Sequence, residues 1–114
     1  MTLQDVIDQL SLTVLTQPGD FAAVTPAGGY TADLLSCVMA GAKSKAVWIT
    51  LQAHVNIVAV AALLDLSAVI ITENAQPDAT TIEKANQQSV TLLSTPLASF
   101  EVVGRLWELG VQEN

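Results

Sequence analysis

Three segments of the chain read almost alike: Ala46-Val47-Trp48-Ile49-Thr50, Ala68-Val69-Ile70-Ile71-Thr72 and Val90-Thr91-Leu92-Leu93-Ser94. They begin at positions 46, 68 and 90, a constant step of 22 residues. Each is a short apolar run, largely β-branched or leucine, that closes on a hydroxyl. Strands buried on both faces read this way, and such strands belong to parallel sheets covered by helices. The intervals 51–67 and 73–89 hold 17 residues each, enough for one crossover helix and its loops. The expected fold is therefore α/β: a three-layer α/β/α domain with a mostly parallel sheet and right-handed crossovers. With 114 residues and no linker or low-complexity stretch, residues 1–114 read as a single domain.

The flanking segments follow local rules. Thr2-Leu3-Gln4-Asp5 caps a first helix with Leu3, Val6, Ile7 and Leu10 on its apolar stripe. Leu12 to Thr16 alternates like a strand, Pro18-Gly19 fits a type II turn, and Phe21 to Thr25 suits a further strand, paired as a hairpin or lying elsewhere. Pro26-Ala27-Gly28-Gly29 reads as a loop, with Thr31 or Asp33 capping a helix that carries Leu34, Leu35, Val38 and Met39 and ends at Gly41. Pro77-Asp78 opens a helix with Ile82 and Ala85 inward. Thr95-Pro96 opens the last one, with Phe100, Val103, Leu106, Trp107 and Leu109 on its buried side and a stop at Gly110.

Charge and motifs exclude several functions. Eleven acids against four bases give a net charge of −7, which repels phosphate backbones and anionic lipid, so neither nucleic acid nor a membrane is an expected partner. The longest apolar run, Ile57 to Leu64, falls far short of the roughly 20 residues that span a bilayer. The single Cys37 reads as a small hydrophobe inside a helix. With no basic segment near Met1, it suits a reducing cytoplasm. There is no G-x-S-x-G, H-E-x-x-H or G-x-G-x-x-G, and Gly41-Ala42-Lys43-Ser44 lacks the spaced glycines of a phosphate loop.

Ligands of open parallel sheets bind beyond the carboxyl ends of the strands. At that edge the repeats turn polar: Thr50, Gln52, His54 and Asn56; then Thr72, Glu73 and Asn74; then Ser94 and Thr95. Gly28 and Gly29 precede another helix start and allow close backbone approach. These eleven residues are the candidate ligand-binding set. The same residue types also cap helices in any α/β domain, so a purely structural role stands beside the functional one. His54 with Glu73 or Asn56 would suit a small enzyme if the groups converged on a substrate. Ile57 to Leu64 has no polar stripe. Either the terminal helix with Phe100 and Trp107 covers it, or a second copy does, which makes a homodimer the expected assembly.

The chain also resembles DRTGG domains, and its fold is similar to the amino-terminal domain of HPr kinase/phosphorylase. The likeness runs from approximately Leu12 to Leu109. Gly28-Gly29-Tyr30, Asp33-Leu34-Leu35-Ser36, Trp48-Ile49-Thr50, His54 to Ala61, Ile70-Ile71-Thr72, Pro77-Asp78 and Leu93-Ser94-Thr95 carry it. Many relatives read Asp-Arg-Thr where this chain has Ala53-His54-Val55, and Gly-Gly where it has Glu73-Asn74. The resemblance implies a non-catalytic regulatory or ligand-binding domain, often dimeric. It implies an adenine nucleotide as ligand and a separate enzyme or sensor as partner. The remaining alternative is a structural subunit of a larger complex.

Overall fold

The computed structural model describes residues 1–113. Five strands form one sheet: β1 (Thr13–Val14), β2 (Gly29–Thr31), β3 (Val47–Thr50), β4 (Ala68–Ile71) and β5 (Leu92–Ser94). Their spatial order is β1-β5-β4-β3-β2. β2 to β5 run parallel and β1 pairs antiparallel with β5 at the far edge. Five helices flank the sheet: α1 (Leu3–Leu10), α2 (Leu35–Gly41), α3 (Asn56–Leu64), α4 (Ala79–Gln87) and α5 (Ser99–Glu108).

The three repeats become β3, β4 and β5, the three central strands. Successive residues supply opposite faces, as the pleat requires. Val47, Ile49, Ala68, Ile70 and Leu93 meet Leu3, Val6, Leu10, Val102 and Leu106 of α1 and α5. Trp48, Val69, Ile71 and Leu92 meet Val38, Ile57, Val58, Ala61 and Ala85 of α2, α3 and α4. The domain is therefore three-layered, with a core on each side of a mostly parallel sheet.

α1 begins with the expected capping box: Thr2 Oγ1 accepts from Asp5 N, and Asp5 Oδ2 accepts from Thr2 N. α4 begins where Asp78 Oδ1 accepts from Thr81 N at 2.8 Å. Gly110, at φ +95, follows α5.

The front quarter departs from expectation. Residues 21–25 form no strand: Phe21–Ala23 is a single 3-10 turn whose Phe21 plugs the α1–α5 core. The hairpin is absent as well, because β1 finds its partner in β5, which already exposes a free edge. Gly19 has no positive φ, so Pro18-Gly19 is not a type II turn. Gly29, expected in a loop, opens β2, a three-residue edge strand too short to show an alternating pattern. α2 begins at Leu35 without a side-chain cap, so neither Thr31 nor Asp33 serves as one.

Burial differs on two helices and at the thiol. α3 lies between α2 and α4, whereas α5 lies on the opposite face, so the terminal helix does not cover α3. Ile57, Val58, Val60 and Ala61 of α3 are buried, and of its apolar residues only Ala59, Ala62 and Leu63 stay exposed. α5 starts at Ser99 rather than after Thr95-Pro96, since Thr95 Oγ1 accepts from Leu97 N in a local turn. Val102 and Leu106 are its buried residues, while Phe100 is 91% and Trp107 50% exposed. Cys37 is exposed, on the outer side of a seven-residue helix that buries Val38.

Candidate functional site

The three strand ends do converge. Thr50 lies opposite Ile71, and Ile71 opposite Ser94. Thr72 N donates to Thr50 O, and Thr95 N to Ile71 O. Thr50, Thr72, Ser94 and Thr95 therefore form a contiguous row at the carboxyl edge of the sheet, and all four are buried.

Internal bonds hold this row. Thr50 Oγ1 donates to Asp33 Oδ1 at 2.8 Å and accepts from Gln52 N at 3.0 Å. The same Asp33 oxygen accepts from Leu51 N, while Gln52 Nε2 donates to Asp33 O. Asp33 is thus a clasp between the end of β3 and the entry to α2. Thr72 Oγ1 and Ser99 Oγ share a hydrogen bond of 2.6 Å. Glu73 Oε2 accepts from Ser99 N at 2.7 Å and so caps the first turn of α5. Sequence reasoning did not single out Asp33 or Ser99 as rim partners. Both contacts are non-local and arise only once strand order is known.

The exposed part of the rim consists of His54, Asn56, Glu73 and Asn74. His54 Nδ1 accepts from Asn56 N at 3.2 Å, beside α3. The Asp78 carboxyl is held below its ordinary value chiefly by the Thr81 N–H, with a smaller contribution from the His54 charge. His54 is oriented on the α3–α4 side, whereas the Glu73 carboxylate serves α5 on the other. Of the two partners that an acid–base role for His54 would call on, Asn56 is bonded to it and Glu73 is engaged by Ser99 N. Glu73 and Asn74 adopt φ +60 and +58 in succession.

Gly28 is buried, and its carbonyl accepts from Val47 N. Gly29 N donates outward to Gln112 O at 3.1 Å. Gly29 lines a cavity of about 250 Å³ between β2, α5 and residues 111–113, along with Ile49, Leu106, Trp107 and Val111. An adjoining groove of about 490 Å³ is lined by Thr31, Ser99, Phe100, Val103, Gly104, Trp107 and Glu108. Phe100, Val103 and Trp107, expected on the buried side of α5, instead share an apolar face along this groove, with Phe100 and Trp107 exposed. That face looks onto the β2 edge instead of the core. Among the described residues no group of three or more His, Cys, Asp or Glu side chains could hold a metal ion. No described helix is long and apolar enough to cross a membrane.

The DRTGG domain family matches residues 31–109, and the chain belongs to that family. The fold is similar to a solved structure of the CBS and DRTGG domains of the regulatory region of Clostridium perfringens pyrophosphatase, complexed with an activator, diadenosine tetraphosphate. The TM-score is 0.73 at 22% identity, covering 92% of this chain and 45% of that one, so this chain spans less than half of its neighbour's length. No curated protein matches the chain.

Proposed function

We propose that the chain is a non-catalytic regulatory module that senses a small ligand, with an adenine nucleotide as the leading class, and transmits its state to a partner enzyme or sensor. The carrying observation is the rim. Three parallel strand ends gather their hydroxyls into a locked brace, and Gln52, His54, Asn56 and Asn74 surround it with groups that recognise a base or sugar. Family membership supports a regulatory role, and the pyrophosphatase neighbour supports the choice of ligand. The ligand would use the strand-end set of Thr50, Thr72, Glu73, Ser94 and Thr95 through the backbone they brace. Gly28 and Gly29 shape the adjoining strand.

We place the homodimer contact on the α2–α3 surface, where Leu34 (63%), Met39 (50%) and Leu63 (69%) remain exposed. Leu63→Lys is expected to halve the mass of the assembly in light scattering while leaving the circular dichroism spectrum unchanged. A dimer that survives this change would sink the placement.

A thermal-shift series with AMP, ADP, ATP and diadenosine tetraphosphate tests the ligand. A ligand at 100 times its dissociation constant stabilises by about 2.7 kcal/mol. His54→Ala and Asn56→Ala are expected to abolish the shift. A flat response to all four nucleotides rejects the nucleotide reading.

A further inference from the structure

The β2 edge and the groove beside it have half of a strand-addition site already in use. Gly29 N–H points away from β3 and donates to the carbonyl of Gln112, so the chain's own residues 111–113 occupy one end of the edge. Tyr30 faces β3 in the parallel ladder, which turns the main-chain groups of Thr31 outward, as those of Gly29 are. Among the described residues no backbone bond engages Thr31 N–H, although its hydroxyl is tied to Ile49 O at 3.0 Å. Directly against Thr31 lies the groove floored by Val103 and Gly104 and walled by Phe100 and Trp107. A Cβ built on Gly104 would meet nothing within 4 Å, so the floor is open.

We propose that this edge receives an extended segment of a partner protein, added as a strand beside Thr31, with an aromatic or aliphatic side chain in the groove and basic residues flanking it. Strand addition uses main-chain bonds for affinity and side-chain pockets for selectivity; here Thr31 offers the outward main-chain groups and the groove beside it one pocket. Charge selects the occupant. Glu108 lines the groove, Glu113 lines the adjoining cavity, and Arg105 on the same helix is already paired with Glu101 at 2.6 Å. With a net charge of −7, a second copy would set Glu108 against its own equivalent, whereas a basic segment is attracted. This names a partner chemistry for the regulatory reading, on which it rests, and sets it beside the ligand rim, which the groove meets at Ser99.

The test titrates the isotope-labelled full chain with the synthetic peptide acetyl-Lys-Val-Phe-Val-Lys-amide. Three controls accompany it: the same peptide with glutamates for lysines, one N-methylated at both valines, and one N-methylated at phenylalanine. The expected result is movement of the Thr31 amide and Trp107 indole resonances. Binding should weaken at least tenfold with the glutamate peptide and with one, but not both, of the N-methyl isomers. Phe100→Ala, a change at an exposed position, is expected to weaken it at least tenfold too.

Unmoved Thr31 and Trp107 resonances up to millimolar peptide overturn the proposal, as does equal binding of both N-methyl forms. So does a dimer of the free chain that Phe100→Arg dissociates, because a second copy would then fill the groove. A nucleotide-induced thermal shift alongside failed peptide binding discards the strand-addition site alone. Peptide binding without a nucleotide shift does the reverse.

Discussion

Glu73 shows how one residue holds two conflicting roles. Its backbone sits at φ +60, a left-handed conformation costing roughly 1–2 kcal/mol for a residue with a Cβ. Its carboxylate caps Ser99 N at the start of α5, a contact of the kind that contributes about 1 kcal/mol. The DRTGG resemblance expects Gly-Gly at positions 73 and 74, and both keep the geometry that glycine favours. Glu73→Ala therefore loses the cap and keeps the strain, while Glu73→Gly loses the cap and relieves it. The glycine variant is expected to be the more stable of the two by about 1 kcal/mol in urea unfolding. An alanine variant equal to or better than glycine would show that φ at this position carries no cost.

Acid sensitivity belongs to the same scale. Backbone N–H groups of Thr2 and Thr81 hold the Asp5 and Asp78 carboxyls below their ordinary value of 3.8. A hydrogen bond from Lys45 does the same to Asp65. Below 3.8 the unfolded chain takes up these protons before the folded one. The stabilisation is thus complete above that pH and disappears as pH falls through the lowered folded-state values. Melting temperature is expected to drop as pH falls below about 4, with a shallower drop in the Asp5→Asn/Asp78→Asn double variant, where asparagine still caps but does not titrate. Parallel curves for the two proteins would remove these carboxyls from the account.

Among the elements, what was legible in the sequence was what local chemistry decides alone. β3, β4 and β5 announce themselves because burial on both faces demands uninterrupted apolar residues. α1 does so through Thr2 and Asp5, which satisfy each other within four residues. β2 was illegible because three residues carry no period, and Gly29 looks like a turn until β3 lies beside it. The start of α5 is hidden because Thr95-Pro96 has the composition of a cap, while the actual cap comes from Glu73. Close approach explains another position. A Cβ on Gly41, the last residue of α2, would come within 2.6 Å of Tyr30 Cε1 and overlap its hydroxyl. That hydroxyl donates to Cys37 O, tying β2 to α2. Gly41→Ala is expected to cost about 1–3 kcal/mol through overpacking, read by chemical denaturation. Pairing it with Tyr30→Ala, which clears the space, should recover part of that loss relative to additivity.

At the scale of the molecule, one sheet separates two cores, and the candidate surfaces sort by face and edge. The α1–α5 side meets the groove at β2, the α2–α4 side carries Leu34, Met39 and Leu63, and the ligand rim crosses the carboxyl edge between them. The rim was legible because parallel order follows from the repeats and brings their hydroxyl ends together. The groove was not, because it depends on which edge α5 crosses. This separation makes the proposed α2–α3 dimer testable by salt. Each chain carries −7, so association works against like-charge repulsion that falls away as the screening length drops to about 8 Å at 0.15 M ionic strength. An interface built on Leu34, Met39 and Leu63 gains from that screening and contains no ion pair to lose. Dimer affinity measured by sedimentation is therefore expected to rise several-fold from about 20 mM to about 300 mM sodium chloride. Affinity that falls over the same range would mean that charged contacts hold the two copies together, and that the apolar α2–α3 surface is not where they meet.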